Sequence, residues 1–203
     1  MKKVWLLVLI SLVFAFPMSA AFAAETPTEL VRNTTDEVIT RIENDREELR
    51  QDPAKMFALV SELIFPRFDF PIMAQWVLGT HWKGADPQSQ QLFIDQFRKL
   101  LVRTYATALL EFSDQAITYP DKEATRKGRT AVVRQEIEQA GSAPIALGYR
   151  LHDGSGQWKV IDVSVDGVSL VKTYRASFSS MINESGLASL IETLRAKNKE
   201  INQ

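Results

Sequence analysis

Cysteine is absent from this chain. That removes thiol catalysis, cysteine-ligated metal, disulfide staples and a thioether lipid anchor together. Histidine is scarce: His81 and His152 lie in different regions without a His-Glu-x-x-His spacing, so both read as ordinary surface or core residues. No phosphate-cradling glycine-rich loop ending in Lys-Ser/Thr occurs, and no dinucleotide fingerprint follows a strand. Ser164 and Ser169 flank a glycine but form no Gly-x-Ser-x-Gly elbow. A surplus of one charge is missing too, the formal net charge being −1. A nucleic-acid binder normally carries a strong basic bias, so that class is set aside.

What the chain does have begins at its N-terminus. Lys2 and Lys3 precede an apolar run from Val4 to Phe16, and Ala21-Phe22-Ala23 puts small residues at cleavage spacing. This pattern predicts a secretory signal peptide over residues 1–23, cut between Ala23 and Ala24. The run is too short for a comfortable membrane span, and no later segment approaches the roughly 18 apolar residues that a span needs. Cleavage removes two lysines and no acid, taking the net charge from −1 to −3. Residues 24–203 are expected to form a single soluble domain, large enough to bury a core without staples.

Along that domain Thr26-Pro27 predicts a helix start, with Val31, Thr34, Val38, Ile42 and Leu49 recurring at helical spacing up to Gln51. Asp52-Pro53 opens a second helix that Pro66 ends. Asp69 caps a third, with Pro71 in its first turn and Gly79 near its end. Asp86-Pro87 opens the clearest amphipathic helix, where Leu92, Phe93, Phe97, Leu100, Leu101, Tyr105, Ala108, Leu109 and Phe112 make one stripe. The pattern then alternates as strands do, over Gln115–Tyr119, Thr130–Glu138, Ile145–His152 and Trp158–Val165, with turns short enough for antiparallel neighbours. Lys122 to Arg129 reads as an exposed turn, and more weakly as a docking patch for anionic headgroups or an acidic partner. Val171–Ile182 and Leu187–Lys199 are predicted closing helices divided by Gly186. The result is α+β: helices packed on one face of a curved antiparallel sheet of about four strands.

Acids offer little chemistry. Glu43, Asp45, Glu47 and Glu48 belong to a solvated helical face. Asp69 reads as a cap. Asp162 alternates with Val160 on one strand face, which would aim it into a partly enclosed space where a lone carboxylate can serve as a general base. Apolar content is more telling: Phe68, Phe70, Trp76 and Trp82 crowd one short, punctuated segment.

An ordered set of fragments then carries a resemblance. The Phe68-Asp69 segment runs through Val77-Leu78-Gly79 to Trp82, followed by Gln90-x-x-Phe93-x-x-x-Phe97 and Leu100-Leu101-x-x-Thr104-Tyr105. Tyr149-Arg150-Leu151, Trp158-Lys159-Val160-x-Asp162-Val163, Gly167-Val168-Ser169-Leu170 and Tyr174-Arg175-x-x-Phe178 complete it. Over essentially the whole mature chain this resembles the MlaC family, the toluene-tolerance family of periplasmic phospholipid-binding proteins. Lys83-Gly84-Ala85-Asp86 departs from the family's more usual Ala-Thr-Pro helix start, and Asp86 can cap as Thr would.

The resemblance implies a nuclear-transport-factor-2-like cone with an apolar cavity. It implies a monomeric carrier with no catalytic residues, metal or cofactor, which shuttles phospholipid between inner and outer membranes and maintains outer-membrane lipid asymmetry. Implied partners are an inner-membrane lipid ABC transporter with an MCE-domain ring and an outer-membrane lipoprotein with a porin, each engaged by transient docking. Expected lipid-lining residues are Phe68, Met73, Val77, Phe97, Leu101, Tyr105, Val133, Tyr149, Val163, Val168, Phe178 and Ile182. Ala146 and Gly148 put small residues on one strand face. Two other readings stay open: a small-molecule enzyme on a similar cone with Asp162 as base, and a periplasmic module that binds protein.

Overall fold

Four of the helices start the same way, with an oxygen-bearing side chain satisfying the free N–H groups of the first turn and a proline within its first two positions. The computed structural model describes residues 25–112, 115–154 and 156–199; the predicted signal peptide and its cleavage site lie outside the described residues. Helix α1, Pro27–Gln51, opens on a capping box in which the Glu29 N–H donates to Thr26 Oγ1 at 3.2 Å and the Thr26 N–H to Glu29 Oε2 at 2.8 Å. Asp52 breaks the chain and caps α2, Pro53–Leu63, accepting the Ala54 N–H at 2.9 Å. A 3-10 turn, Phe65–Arg67, leads to α3, Phe70–Leu78, capped by Asp69 through the Ile72 N–H at 3.1 Å. After the short α4, Thr80–Gly84, Asp86 caps α5, Pro87–Glu111, holding the Ser89 N–H at 2.9 Å.

The strands come next as a meander: β1 Ile117–Thr118, β2 Thr125–Lys127, β3 Thr130–Gln139, β4 Ser142–Asp153, β5 Trp158–Val165 and β6 Val168–Ser169. The pairings between these strands are antiparallel, in the order β1-β3-β4-β5-β6, with β2 also pairing with β3. Among the described residues the sheet therefore has six strands, not four. The additions are β2, fully exposed within the segment expected as a turn, and the two-residue β6. Helix α6, Leu170–Asn198, closes the chain and is broken at Gly186 (φ 84, ψ 162), a conformation essentially confined to glycine.

Buried side chains gather in three clusters. One fills the helical layer around Phe93, Phe97 and Phe178, joined by the buried residues of α3 and by Leu190, Ile191 and Leu194. A second lies between α1, α2 and α5, around Ile42, Met56, Leu59 and Val102. The third joins Leu30 and Val31 of α1 to Val133, Leu151 and Val160 on the sheet. The sheet meets the helices along α1 with β3 and along α3 and α6 with β5. Phe68 pairs with Val160 as an isolated parallel bridge, and the Asp69 N–H donates to the Val160 carbonyl at 2.9 Å, so α3 starts from the sheet's edge.

One expectation is overturned by register. Val160 lies opposite Leu151, and Asp162 opposite Arg150, so Ile161 is an extra residue in β5. A bulge of this kind reverses the facing of the strand residues beyond it. Asp162 thus stands on the sheet face opposite that of Val160, with Arg150, and away from Tyr149 and Val163.

Candidate functional site

The inner face of the sheet is defined by the residues that share the pleat with buried Val133 and Leu151. Register places Gln135 and Ile137 on β3, Leu147 and Ile145 on β4, and Val163 and Val165 on β5 along that same face. Near α1 this surface is closed, with Ala131, Val133, Leu151 and Val160 at 2% exposure or less. Further along, Ile137, Ile145, Leu147, Val163 and Val165 are only half-buried. The sheet therefore presents an apolar strip whose far half the helices leave partly uncovered.

One polar group interrupts the strip. Gln135 is 1% exposed, and its amide donates to Tyr119 Oη at 3.0 Å and to Thr35 Oγ1 at 3.2 Å. Its carbonyl oxygen accepts from the Tyr149 hydroxyl at 2.7 Å. Every hydrogen-bonding arm that faces the interior is thus engaged, as burial demands. Burial pushes both phenols, Tyr149 and Tyr119, above their usual range. On α5, Tyr105 is raised to about 12 by burial and then by the Tyr174 phenol beside it.

The twelve residues expected to line a cavity fall on both sides of the seam between helices and sheet. Met73, Val77, Phe97, Phe178 and Ile182 lie in the helical cluster, with Leu101 packed against it. Val133 lies in the sheet cluster, with Tyr149 and Val163 against it. Phe68 packs against both, stacking on Phe70 at 5.8 Å. Tyr105 is half-buried, and Val168 stands out at 61% exposure on the short β6.

Two open recesses lie elsewhere. A groove of about 450 Å³ runs between the α1–α2 junction and α5, floored by Leu49, Met56, Val102 and Ala106, with Arg50 and Arg103 among its walls. A smaller recess of about 240 Å³ gathers Trp76, Arg150, Asp162, Val171, Lys172 and Arg175. None of the twelve residues lines either. The meeting of the recess's three cations escaped the sequence because they come from two separated elements, and no spacing in the chain announces it. Gln135 escaped for a similar reason: a lone amide in an alternating strand reads as a solvent-facing position.

Asp162 is 8% exposed and both its oxygens are engaged. The Ser169 hydroxyl donates to Oδ2 at 2.6 Å and the Val171 N–H to Oδ1 at 3.2 Å. Ser169 in turn accepts the Lys172 N–H at 3.1 Å as the N-cap of α6. The carboxylate thereby orients the cap of the last helix. Among the described residues no group of three or more His, Asp or Glu side chains is placed to hold a metal ion, and no helix is long and apolar enough to cross a membrane.

This geometry has close counterparts. The toluene tolerance protein ttg2D of Pseudomonas putida is 27% identical over 179 residues, spanning 88% of this chain and 82% of its own length. The intermembrane phospholipid transport system binding protein MlaC of Haemophilus influenzae is 27% identical over 197 residues, spanning 95% of this chain and 92% of its own. A solved structure of the phospholipid-binding protein from Ralstonia solanacearum, in complex with a phospholipid, superposes with a TM-score of 0.80 at 32% identity, covering 89% of this chain and 100% of that one. The family model described as MlaC protein matches residues 32–196, and the chain belongs to the MlaC family.

Proposed function

We propose that this chain is a periplasmic phospholipid carrier, holding acyl chains against apolar side chains while it moves lipid between the inner and outer membranes and so maintains outer-membrane asymmetry. The observation that carries the reading is the apolar inner face of the sheet, half covered at Ile137, Ile145, Leu147 and Val165, in a fold shared with a phospholipid complex. A diacyl lipid has about 30 methylenes, at about 0.8 kcal/mol each, so its chains leave a bilayer only for another apolar enclosure. The seam marked by Phe68 is where such an enclosure widens: Met73, Val77, Phe97, Leu101, Tyr105, Phe178 and Ile182 supply the helical wall, and Val133, Tyr149 and Val163 the sheet wall. Val168, on the surface, is assigned to the rim.

Carriage breaks no covalent bond, so we read the chain as a carrier and not an enzyme, working without a cofactor. The engagement of both Asp162 oxygens in capping α6 supports that reading. Uphill work then falls to partners, an inner-membrane lipid ABC transporter with an MCE-domain ring and an outer-membrane lipoprotein with a porin. We assign residues 1–23 to an export signal and 24–203 to one monomeric domain.

The test is native mass spectrometry of the mature protein purified from a Gram-negative periplasm, followed by lipid extraction. A bound mass equal to that of a phospholipid is expected. Protein that is always ligand-free, and that takes up no phospholipid from vesicles, contradicts the proposal.

A further inference from the structure

The recess beside the first turn of α6 is a site of a different kind. Arg150 reaches it from β4, and Lys172 and Arg175 from α6, where three-residue spacing puts them on one face. All three are exposed, and among the described residues none of their side chains makes a hydrogen bond or an ion pair. Arg41, Lys55, Arg67, Arg134 and Arg195 by contrast each have a carboxylate within 4.0 Å. The one acid in the recess, Asp162, has its oxygens engaged by Ser169 and the Val171 N–H. The recess thus sets three cations against one carboxylate, which leaves an excess of positive charge.

It is also pre-positioned. Gly79 has φ +56, and a Cβ there would fall 2.9 Å from Nη2 of Arg175 and 3.0 Å from its Cζ. The bare backbone at the end of α3 is thus the seat on which the guanidinium rests. Trp76 and Val171 add an apolar wall. The first-turn N–H groups of α6 do not supply the charge, because Val171 and Lys172 already donate to Asp162 and Ser169.

We infer that this recess docks an acidic side chain, presented by a protein partner on a segment that also offers an apolar neighbour to Trp76. Tryptophan and arginine are the residue types most enriched at the energetic centres of protein interfaces, and an arginine fork matches a carboxylate. A flat bilayer does not reach the floor of a concavity. Arg150 and Asp162 also stand on the sheet face opposite Tyr149 and Val163, so the headgroup of a lipid held on the inner face would have to reach around the sheet. A partner seated here leaves that inner face free. The inference does not depend on the lipid reading and fails separately from it.

The experiment uses isotopically labelled mature protein and four probes: a terminally blocked peptide of leucine and glutamate, its glutamine counterpart, inorganic phosphate, and phosphatidylglycerol vesicles. The glutamate peptide is expected to move the Trp76 indole and the Arg150 and Arg175 side-chain N–H resonances, with the glutamine peptide inert. Affinity is expected to fall about tenfold in each of Arg150→Gln and Arg175→Gln. Arg175→Lys, which keeps the charge but not the fork, is expected to restore only part of it. The inference is overturned if the glutamate peptide moves nothing, if both peptides act alike, or if phosphate or vesicles act in its place. A response that survives in Arg150→Gln/Arg175→Gln overturns it too. Both arginines are exposed, so the variants fold, which circular dichroism checks.

Discussion

Replacing Asp162 with alanine separates a structural carboxylate from a catalytic one. The side chain is 8% exposed and accepts two hydrogen bonds, from the Ser169 hydroxyl at 2.6 Å and from the Val171 N–H at 3.2 Å. Hydrogen bonds to a charged group contribute about 1.5–3 kcal/mol each, with the longer one at the lower end. The Ser169 hydroxyl recovers part of its loss by turning toward solvent, whereas the buried Val171 N–H, in the first turn of α6, has no acceptor within the helix. The expected net cost is about 3 kcal/mol, a large share of the roughly 5–15 kcal/mol that holds a typical domain together. In a urea titration this lowers the midpoint by about 1–3 M for a slope of about 1–3 kcal/mol/M. Asp162→Asn keeps an acceptor for Val171 and a polar partner for Ser169, so it should cost about 1 kcal/mol. Phospholipid uptake should survive in the Asn variant at a temperature where it is folded. An Ala variant within about 0.5 kcal/mol of the parent would refute the capping argument. An Asn variant that keeps its stability and its lipid uptake but loses turnover of a small-molecule substrate would revive the acid–base reading.

Gly186→Ala forces an L side chain into a conformation confined to glycine (φ 84, ψ 162) at an otherwise open site, and should cost about 1–3 kcal/mol by thermal denaturation. Tyr149→Phe removes the donor to the buried Gln135 carbonyl oxygen, so chemical denaturation should show a loss of about 1–3 kcal/mol. Tyr105, Tyr119 and Tyr149 all have raised phenol pKa values, Tyr105 to about 12. The unfolded chain then releases phenolic protons first, near pH 10. The contribution of these phenols to stability is complete below that point and is lost as pH rises toward 12, which denaturation midpoints measured from pH 9 to 12 will show. Leu147→Glu puts a charge on the half-covered inner face without opening a buried cluster. Uptake from vesicles should fall at least about tenfold while the denaturation midpoint changes little.

The long helices were legible because their signals are local, whereas the short α4, which has no side-chain cap, was not. Thr26, Asp52, Asp69 and Asp86 each precede a proline within two residues, and the capping geometry depends only on the next turn. Gly186 was legible for the same reason, its backbone angles allowing little else. The strands β3 to β5 showed themselves by alternation, since one face is apolar. What escaped depends on partners distant in sequence. Thr125–Lys127 is exposed on both faces and becomes a strand only by pairing with the start of β3. The bulge at Ile161 comes from the register between β4 and β5, and it alone moves Asp162 to the other face. The cations of the α6 recess likewise meet only once β4, α3 and α6 are assembled. The set expected to line a cavity mixes positions that the fold buries outright, such as Val77 and Phe97, with ones it half covers, such as Leu101 and Val163. Hydrophobicity alone does not separate a wall that lipid touches from the core behind it.

The central claim is that this chain carries phospholipid on apolar side chains, and its most direct measurement is transfer. Delipidated mature protein is mixed with vesicles containing labelled phospholipid, separated from them by size, and offered to unlabelled acceptor vesicles. The account predicts that label elutes with the protein in proportion to its amount and then appears in the acceptors. Label that stays with the donor vesicles at every protein concentration would contradict it.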